Sequence, residues 1–263
     1  MKILPSERIC ITAVLGAFAI ALVGLIDAAE NKEARVTHIF HEVRLLAPQA
    51  APRPAAVNDN VRDGTAVRTG GDSRAELTFV DQTITRLGAN TVFTLSGGVR
   101  AFDLGSGAIL MYAPKEVGTV RINTSTATAS ITGFTALYEA HSKSWNKFLL
   151  LEGDGSISLK HHAGQTRRLH SGQMIVFPYN AVTLPAVQDV DVCRVIDKSL
   201  LITQFPRLPS WNLLQDVCRR QHEQLPSSQL IDPTSHDIID QSINARPTPP
   251  PTPRPRGDNA LKP

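Results

Sequence analysis

Across the middle of this 263-residue chain, apolar side chains recur at every second position. Ala75-Glu76-Leu77-Thr78-Phe79-Val80, Thr83-Ile84-Thr85-Arg86-Leu87 and Thr91-Val92-Phe93-Thr94-Leu95 all show this pattern. A period of two puts alternate side chains on opposite faces of an extended backbone, so each segment predicts a strand with one face buried. Further strands are expected at Ala108 to Tyr112, Thr119 to Asn123, Ala127 to Ile131, Ala136 to Ala140, Phe148 to Leu151, Ser156 to Lys160 and Met174 to Phe177, with an earlier one at Thr37 to Leu46. Asp63-Gly64, Gly70-Gly71, Gly97-Gly98 and Gly153-Asp154-Gly155 read as turns between them. Strands of about five residues at roughly ten-residue spacing describe a mainly β fold, either a sandwich, a barrel or a short twisted β-solenoid.

The period changes after Pro185. Val195, Ile196, Leu200 and Leu201 lie near helical spacing within Val192 to Phe205, and Ser210 is placed to cap a second segment whose Leu213, Leu214, Val217 and Cys218 share a face. Asp232-Pro233 opens a third helical segment running to about Asn244. From Arg246 the sequence RPTPPPTPRPRGDNALKP cannot build a core and reads as a solvated, disordered tail. At the other end, Lys2 and Arg8 precede the uncharged stretch Ile9 to Ile26, the pattern of an export signal. That stretch is long for a signal peptide and barely long enough to span a bilayer, so a cleaved signal and an uncleaved membrane anchor both fit. Ala19-Ile20-Ala21 has the small-x-small form that a signal peptidase needs, whereas Asp27 spoils a site at the end of the stretch. Cys10 precedes the apolar run rather than following it, unlike a lipoprotein cysteine.

Composition sharpens this map. Of the 17 glycines, 14 lie between Val57 and Phe177, with only Pro114 of the 18 prolines, as expected of turn-rich sheet. Upstream, Ala47 to Ala56 holds three prolines and five alanines and reads as a spacer stiffened toward polyproline II. The chain thus divides into an export or anchoring segment (1–29), a linker containing a strand (30–56), a β domain (57–178), a helical extension (179–245) and a basic Pro-rich tail (246–263). Charge follows the same divisions. Residues 1–245 hold 23 of the 27 basic and 23 of the 24 acidic side chains, so the net +3 belongs to the tail. A neutral body disfavours a phosphate-gripping groove, and no nucleic-acid partner is expected. Export points to the periplasm, soluble or anchored to the inner membrane through residues 9–26, and permits a disulfide between Cys193 and Cys218. The alternative is two separately buried thiols. The 25-residue spacing, with no second cysteine pair, argues against zinc.

Catalytic and metal-binding signals are thin. His38 and His41 lie three apart in an expected strand and face opposite sides. His161, His162 and His170 could converge across a hairpin, but no carboxylate or cysteine nearby in sequence completes a ligand set. Asp59-Asn60-Val61-Arg62-Asp63-Gly64 has the acids and glycine of a calcium loop, yet Val61 and Arg62 stand where ligands should converge, which favours a turn. There is no G-x-S-x-G elbow, and neither Gly-Gly pair is followed by the lysine of a phosphate loop. No cofactor, metal or catalytic residue is assigned.

The β block resembles the FecR family, named for the ferric-dicitrate regulator of bacterial iron uptake. The family's V-G-D opening is matched by Val57-Asn58-Asp59 and Asp63-Gly64, its R-T-G by Arg68-Thr69-Gly70, its D-G by Asp81-Gln82 and its L-G turn by Leu87-Gly88. Later, Leu104 to Ile109 fits a G-x-apolar step, Thr124 to Gly133 resembles the T-P-x-A-x-A-x-x-x-G-T segment, Leu151-Glu152-Gly153 resembles E-G-x-V, and Ser171-Gly172-Gln173 the closing A-G-Q. Asn58, Gln82, Ser125 and Phe134 depart from the pattern at turn and strand-edge positions. The resemblance implies a twisted β-solenoid or sandwich with Gly and Asp at its corners. It also implies a periplasmic, non-enzymatic, signalling-type role. The named regulators carry a cytoplasmic anti-sigma segment before their membrane helix; only eight residues precede the apolar stretch here. The expected function is binding or scaffolding of an envelope protein or polymer. An accessory sensor of iron-dicitrate-type transport or cell-surface signalling is the alternative, and an envelope glycan-acting enzyme a distant third.

Overall fold

A computed structural model describes residues 33–96 and 100–233. The export or anchoring segment, the Gly97-Gly98 turn, the third helical segment beyond Pro233 and the Pro-rich tail lie outside the described residues. The fold is mainly β. Its strands are β1 (Glu33–Phe40), β2 (Val43–Leu46), β3 (Arg53–Pro54), β4 (Asn60–Arg62), β5 (Ala66–Thr69), β6 (Arg74–Phe79), β7 (Ile84–Leu87) and β8 (Val92–Leu95). They continue with β9 (Ala101–Ala113), β10 (Thr119–Asn123), β11 (Ala127–Ala140), β12 (Trp145–Leu159), β13 (Thr166–His170), β14 (Gln173–Pro178) and β15 (Gln188–Asp189). All belong to one mixed, unclosed sheet, antiparallel except where β10 runs parallel to the start of β9. Helices α1 (Val192–Lys198), α2 (Leu200–Thr203) and α3 (Trp211–Gln224) follow. No helix among the described residues is long and apolar enough to cross a membrane.

Two segments expected as strand pairs are single long strands. Ala127–Ile131 and Ala136–Ala140 are both parts of β11, and Phe148–Leu151 and the expected strand from Ser156 merge into β12, which ends at Leu159. Glycine explains the difference. Gly133 (φ 55°) and Gly153 (φ 107°) adopt left-handed backbone inside continuing strands, where the β11–β12 register shifts between Thr132 and Thr135. They act as bulges that bend the strands and let them change partners rather than end. A Cβ at Gly153 would stand 2.5 Å from the carbonyl oxygen of Gly133, so the two strands close up there only because Gly153 lacks a side chain; a Cβ at Gly133 would instead run into Lys115.

The strand expected at Thr37 to Leu46 within the linker is two, β1 and β2, separated at His41 (φ 58°), and Arg53–Pro54 of the expected spacer forms β3. β1 pairs with β6 on one side and β4 on the other, and Ala34 and Val36 are buried in the core. Pro54 is accommodated because β3 is a two-residue edge strand pairing only with β2, where a missing N–H costs nothing.

A single row of cross-strand neighbours explains how the helices sit. It runs His38, Glu76, Arg86, Leu110, Leu137, Leu149 and Met174 through β1, β6, β7, β9, β11, β12 and β14. The apolar end of the row packs under Val192, Val195, Ile196, Leu201, Ile202, Phe205, Leu208, Leu214 and Val217 of the helical extension. The opposite face carries the main core, including Leu77, Ile109, Met111, Tyr138, Phe148, Leu150, Ile175 and Phe177. Sheet buried on both faces reads as a continuous apolar run, and Phe148-Leu149-Leu150-Leu151 is one. Within the helices, Leu214 and Val217 face inward as expected, but Leu200 and Leu213 are exposed. Cys193 and Cys218 form a disulfide joining α1 to α3, with Cα atoms 5.0 Å apart.

Candidate functional site

Most motif side chains and glycines serve the corners of the sheet. Asp59 accepts bonds from the Ala56 N–H and from the Arg53 guanidinium, both at 2.7 Å. The Arg53 bond, then the Ala56 bond, hold its carboxyl below the usual range. Gly64 (φ 78°) donates to Leu95. The Thr69 hydroxyl donates to Gly88 O and accepts from Thr91 N–H, while Gly70 N–H reaches Glu42 O and Gly88 N–H reaches Ala108 O. Asp81 accepts from Thr83 N–H, and Gln82 adopts φ 66° in the glycine's place. Thr124 caps its turn by accepting from Ala127 N–H. Gly172 (φ 79°) donates to Leu150 O, and Gln173 accepts from His170 N–H and donates to Asp189.

Arg68 and Glu152 are different. Neither side chain has a hydrogen-bond or ion-pair partner among the described residues. Arg68 is exposed in β5 directly opposite exposed Arg44 of β2, in a cross-strand row with Pro54 on one side and Val92 on the other. Like charges facing each other across an antiparallel pair are unfavourable, and only Arg44 has a neutralising partner, Glu42 at 2.9 Å. Glu152 is half-buried, and loss of hydration, partly offset by Lys115, pushes its carboxyl above the usual range.

A buried charged cluster lies where sequence periodicity predicts a solvated face. Arg86 Nε donates to Glu76 Oε2 at 2.8 Å, and its two terminal nitrogens donate to Leu201 O and Pro206 O. The other Glu76 oxygen meets Thr37 Oγ1 at 2.8 Å and His38 Nδ1 at 2.9 Å, and Phe205 lies against the guanidinium. Burial pulls Arg86 down from its ordinary pKa, and the Glu76 carboxylate opposes that. The cluster is saturated with internal partners, so it positions the extension. Ser210 does similar work: instead of capping α3 through its side chain, its hydroxyl bonds to Thr135 Oγ1 at 2.6 Å.

The histidine groups do not assemble as sequence neighbours. His38 binds Glu76, whereas His41 (φ 58°) turns away toward Asp72. His170 pairs with Asp154, and His161 and His162 are exposed at the β12–β13 turn. The ligand-type group that does come together among the described residues is Asp191, Cys193 and His222. Cys218 and His222 are four apart on α3, a spacing visible in the sequence that cysteine counting alone passes over.

Two crystal structures of candidate anti-sigma factors from Parabacteroides distasonis share 13% and 15% sequence identity with this chain, each with a TM-score of 0.43. The first match covers 51% of this chain and 64% of the other, the second 66% and 87%. No curated protein matches the sequence. A family model does, the FecR protein family over residues 65–154, a span holding Arg68-Thr69-Gly70, Gly88, Gly133 and Gly153.

Proposed function

We propose that this FecR-like domain is a non-enzymatic binding module, working in the bacterial periplasm or envelope by engaging a partner protein or polymer. The observation that carries the reading is the contrast at Arg68-Thr69-Gly70. Thr69 and Gly70 are spent on backbone contacts, while Arg68 stands exposed, unpaired among the described residues and opposite Arg44. Two neighbouring guanidiniums on a sheet face suit carboxylate or phosphate groups, so an acidic protein segment or anionic envelope polymer is the fitting partner. The FecR match supports a regulatory role, with sensing for a transport or signalling system as the second reading.

Crosslinking in intact envelopes followed by capture of the full chain tests the proposal, with the 246–263 tail alone as control. Specific adducts, absent from the control and lost in Arg68→Glu, are expected. Adducts no different from the control would overturn it. Fractionation tests location, and recovery of the chain from the cytoplasm would contradict the envelope assignment.

A further inference from the structure

A cleft of about 340 Å³ opens between α1 and α3, and the disulfide forms part of its wall beside Asp191 and His222. We propose that Cys193–Cys218 is the closed form of a redox-controlled site for a thiophilic divalent cation, Zn²⁺ being the best fit, held by Asp191, Cys193, Cys218 and His222.

Three observations converge on it. Ligand atoms of Asp191, Cys193 and His222 already lie within 4.8 Å of one another, and Cys218 is bonded to Cys193. Asp191 Oδ1 and His222 Nε2 are 3.3 Å apart. Two ligands about 2.0–2.1 Å from a tetrahedral ion stand roughly 3.4 Å from each other, so this pair already spans the ion's position. The elements also hold the donors in place. Cys218 and His222 occupy one face of α3, while the hydrogen bond from Arg194 N–H to Asp191 Oδ1 fixes the carboxylate at the start of α1. The two cysteines alone make no zinc site; the fold brings Asp191 and His222 to them as the second pair of ligands.

Charge and access both bear on the site. Two thiolates and a carboxylate exceed a divalent cation by one negative charge; Arg194, Lys198 and Arg219 lie on the cleft wall with Asp197, and each of the three cations also has a carboxylate partner, Asp232 for the first two and Asp216 for the third. The His222 side chain is 38% exposed, which leaves an entry path. In the oxidised chain the sulfurs are committed to each other. A dithiol reductant supplies two electrons and two protons, becomes a disulfide itself, and leaves two thiols. Binding the cation then releases those two protons to solvent, and the metal replaces the disulfide as the clamp between α1 and α3.

The test uses the full chain, reduced with a phosphine that is removed under argon before Co²⁺ is titrated. The reduced protein should bind about one equivalent, with thiolate-to-cobalt charge-transfer bands and the visible absorption of a tetrahedral site; the oxidised protein should show neither. His222→Ala and Asp191→Asn should each weaken binding by at least about tenfold. Circular dichroism guards against simple unfolding: helix lost on reduction and regained with Co²⁺ supports the site, and helix lost without recovery overturns it. Absence of the charge-transfer bands, or bands that neither variant weakens, also overturns it.

Discussion

The β-sheet and the helical extension are held by different physics. The sheet depends on backbone pairing, an apolar core and glycines at its bends. The extension adds an apolar layer of its own but is fixed by discrete latches. Arg86 grips Leu201 and Pro206, Ser210 bonds to Thr135, the Gln221 amide donates to Gly172 O, and Lys147 donates to Pro233 O at 3.1 Å. The Cys193–Cys218 bridge ties α1 to α3. A region held by backbone register loses stability gradually as side chains change, whereas a latched region fails at single residues.

Arg86→Ala breaks this contrast most strongly. It leaves Glu76 buried without its cation and should cost about 3–5 kcal/mol in urea unfolding. Hydrogen exchange should quicken in 192–231 before it quickens in β11 and β12; uniform acceleration would show that the two regions are one cooperative unit. Cys193→Ser with Cys218→Ser should cost about 3 kcal/mol by releasing the 25-residue loop in the unfolded chain, again with faster exchange centred on α1 and α3. Gly153→Ala acts on the other region. Left-handed backbone and the close approach to Gly133 should together cost roughly 2 kcal/mol or more and speed exchange in β11 and β12 first.

The smallest effect is set by pH. Burial alone would raise the Glu139 carboxyl, but the nearby His141 ring, 3.8 Å away, and the Lys147 ammonium, 2.7 Å away, bring it below its ordinary value. A folded-state pKa below the unfolded one contributes stability that is full above the unfolded value and lost as pH falls through the folded value. Thermal denaturation should therefore show Glu139→Gln less stable than the parent at pH 7, with the gap closing as pH drops below about 4.5. A gap that persists at pH 3 would assign Glu139 a packing role instead.

Much of the sheet is legible in the sequence because exposed and core faces impose the period of two. Thr119 to Asn123 is a strand with the bounds that its alternation predicts. Strand β13, Thr-Arg-Arg-Leu-His, is invisible to the same reasoning because only Leu169 of its five residues is buried. The burial of Glu76 and Arg86 is equally unreadable: alternation identifies their face as polar, but the cover arrives from residues more than a hundred positions later. Glycine marks the bends correctly and their type ambiguously, since positive φ serves a turn and a mid-strand bulge alike. At the candidate site, resemblance identifies Arg68-Thr69-Gly70 as a unit, and only burial separates the exposed arginine from its two structural neighbours.

That separation is the central functional claim, and comparing Arg68→Glu with Thr69→Val tests it directly. Both full chains are measured for thermal stability and for crosslinked adducts in envelopes. Arg68→Glu should lose the adducts with its melting temperature essentially unchanged, and Thr69→Val should lower the melting temperature yet keep the adducts in the fraction that remains folded. Retention of the adducts in Arg68→Glu, or their loss in folded Thr69→Val alone, would contradict the assignment of partner binding to the exposed arginine.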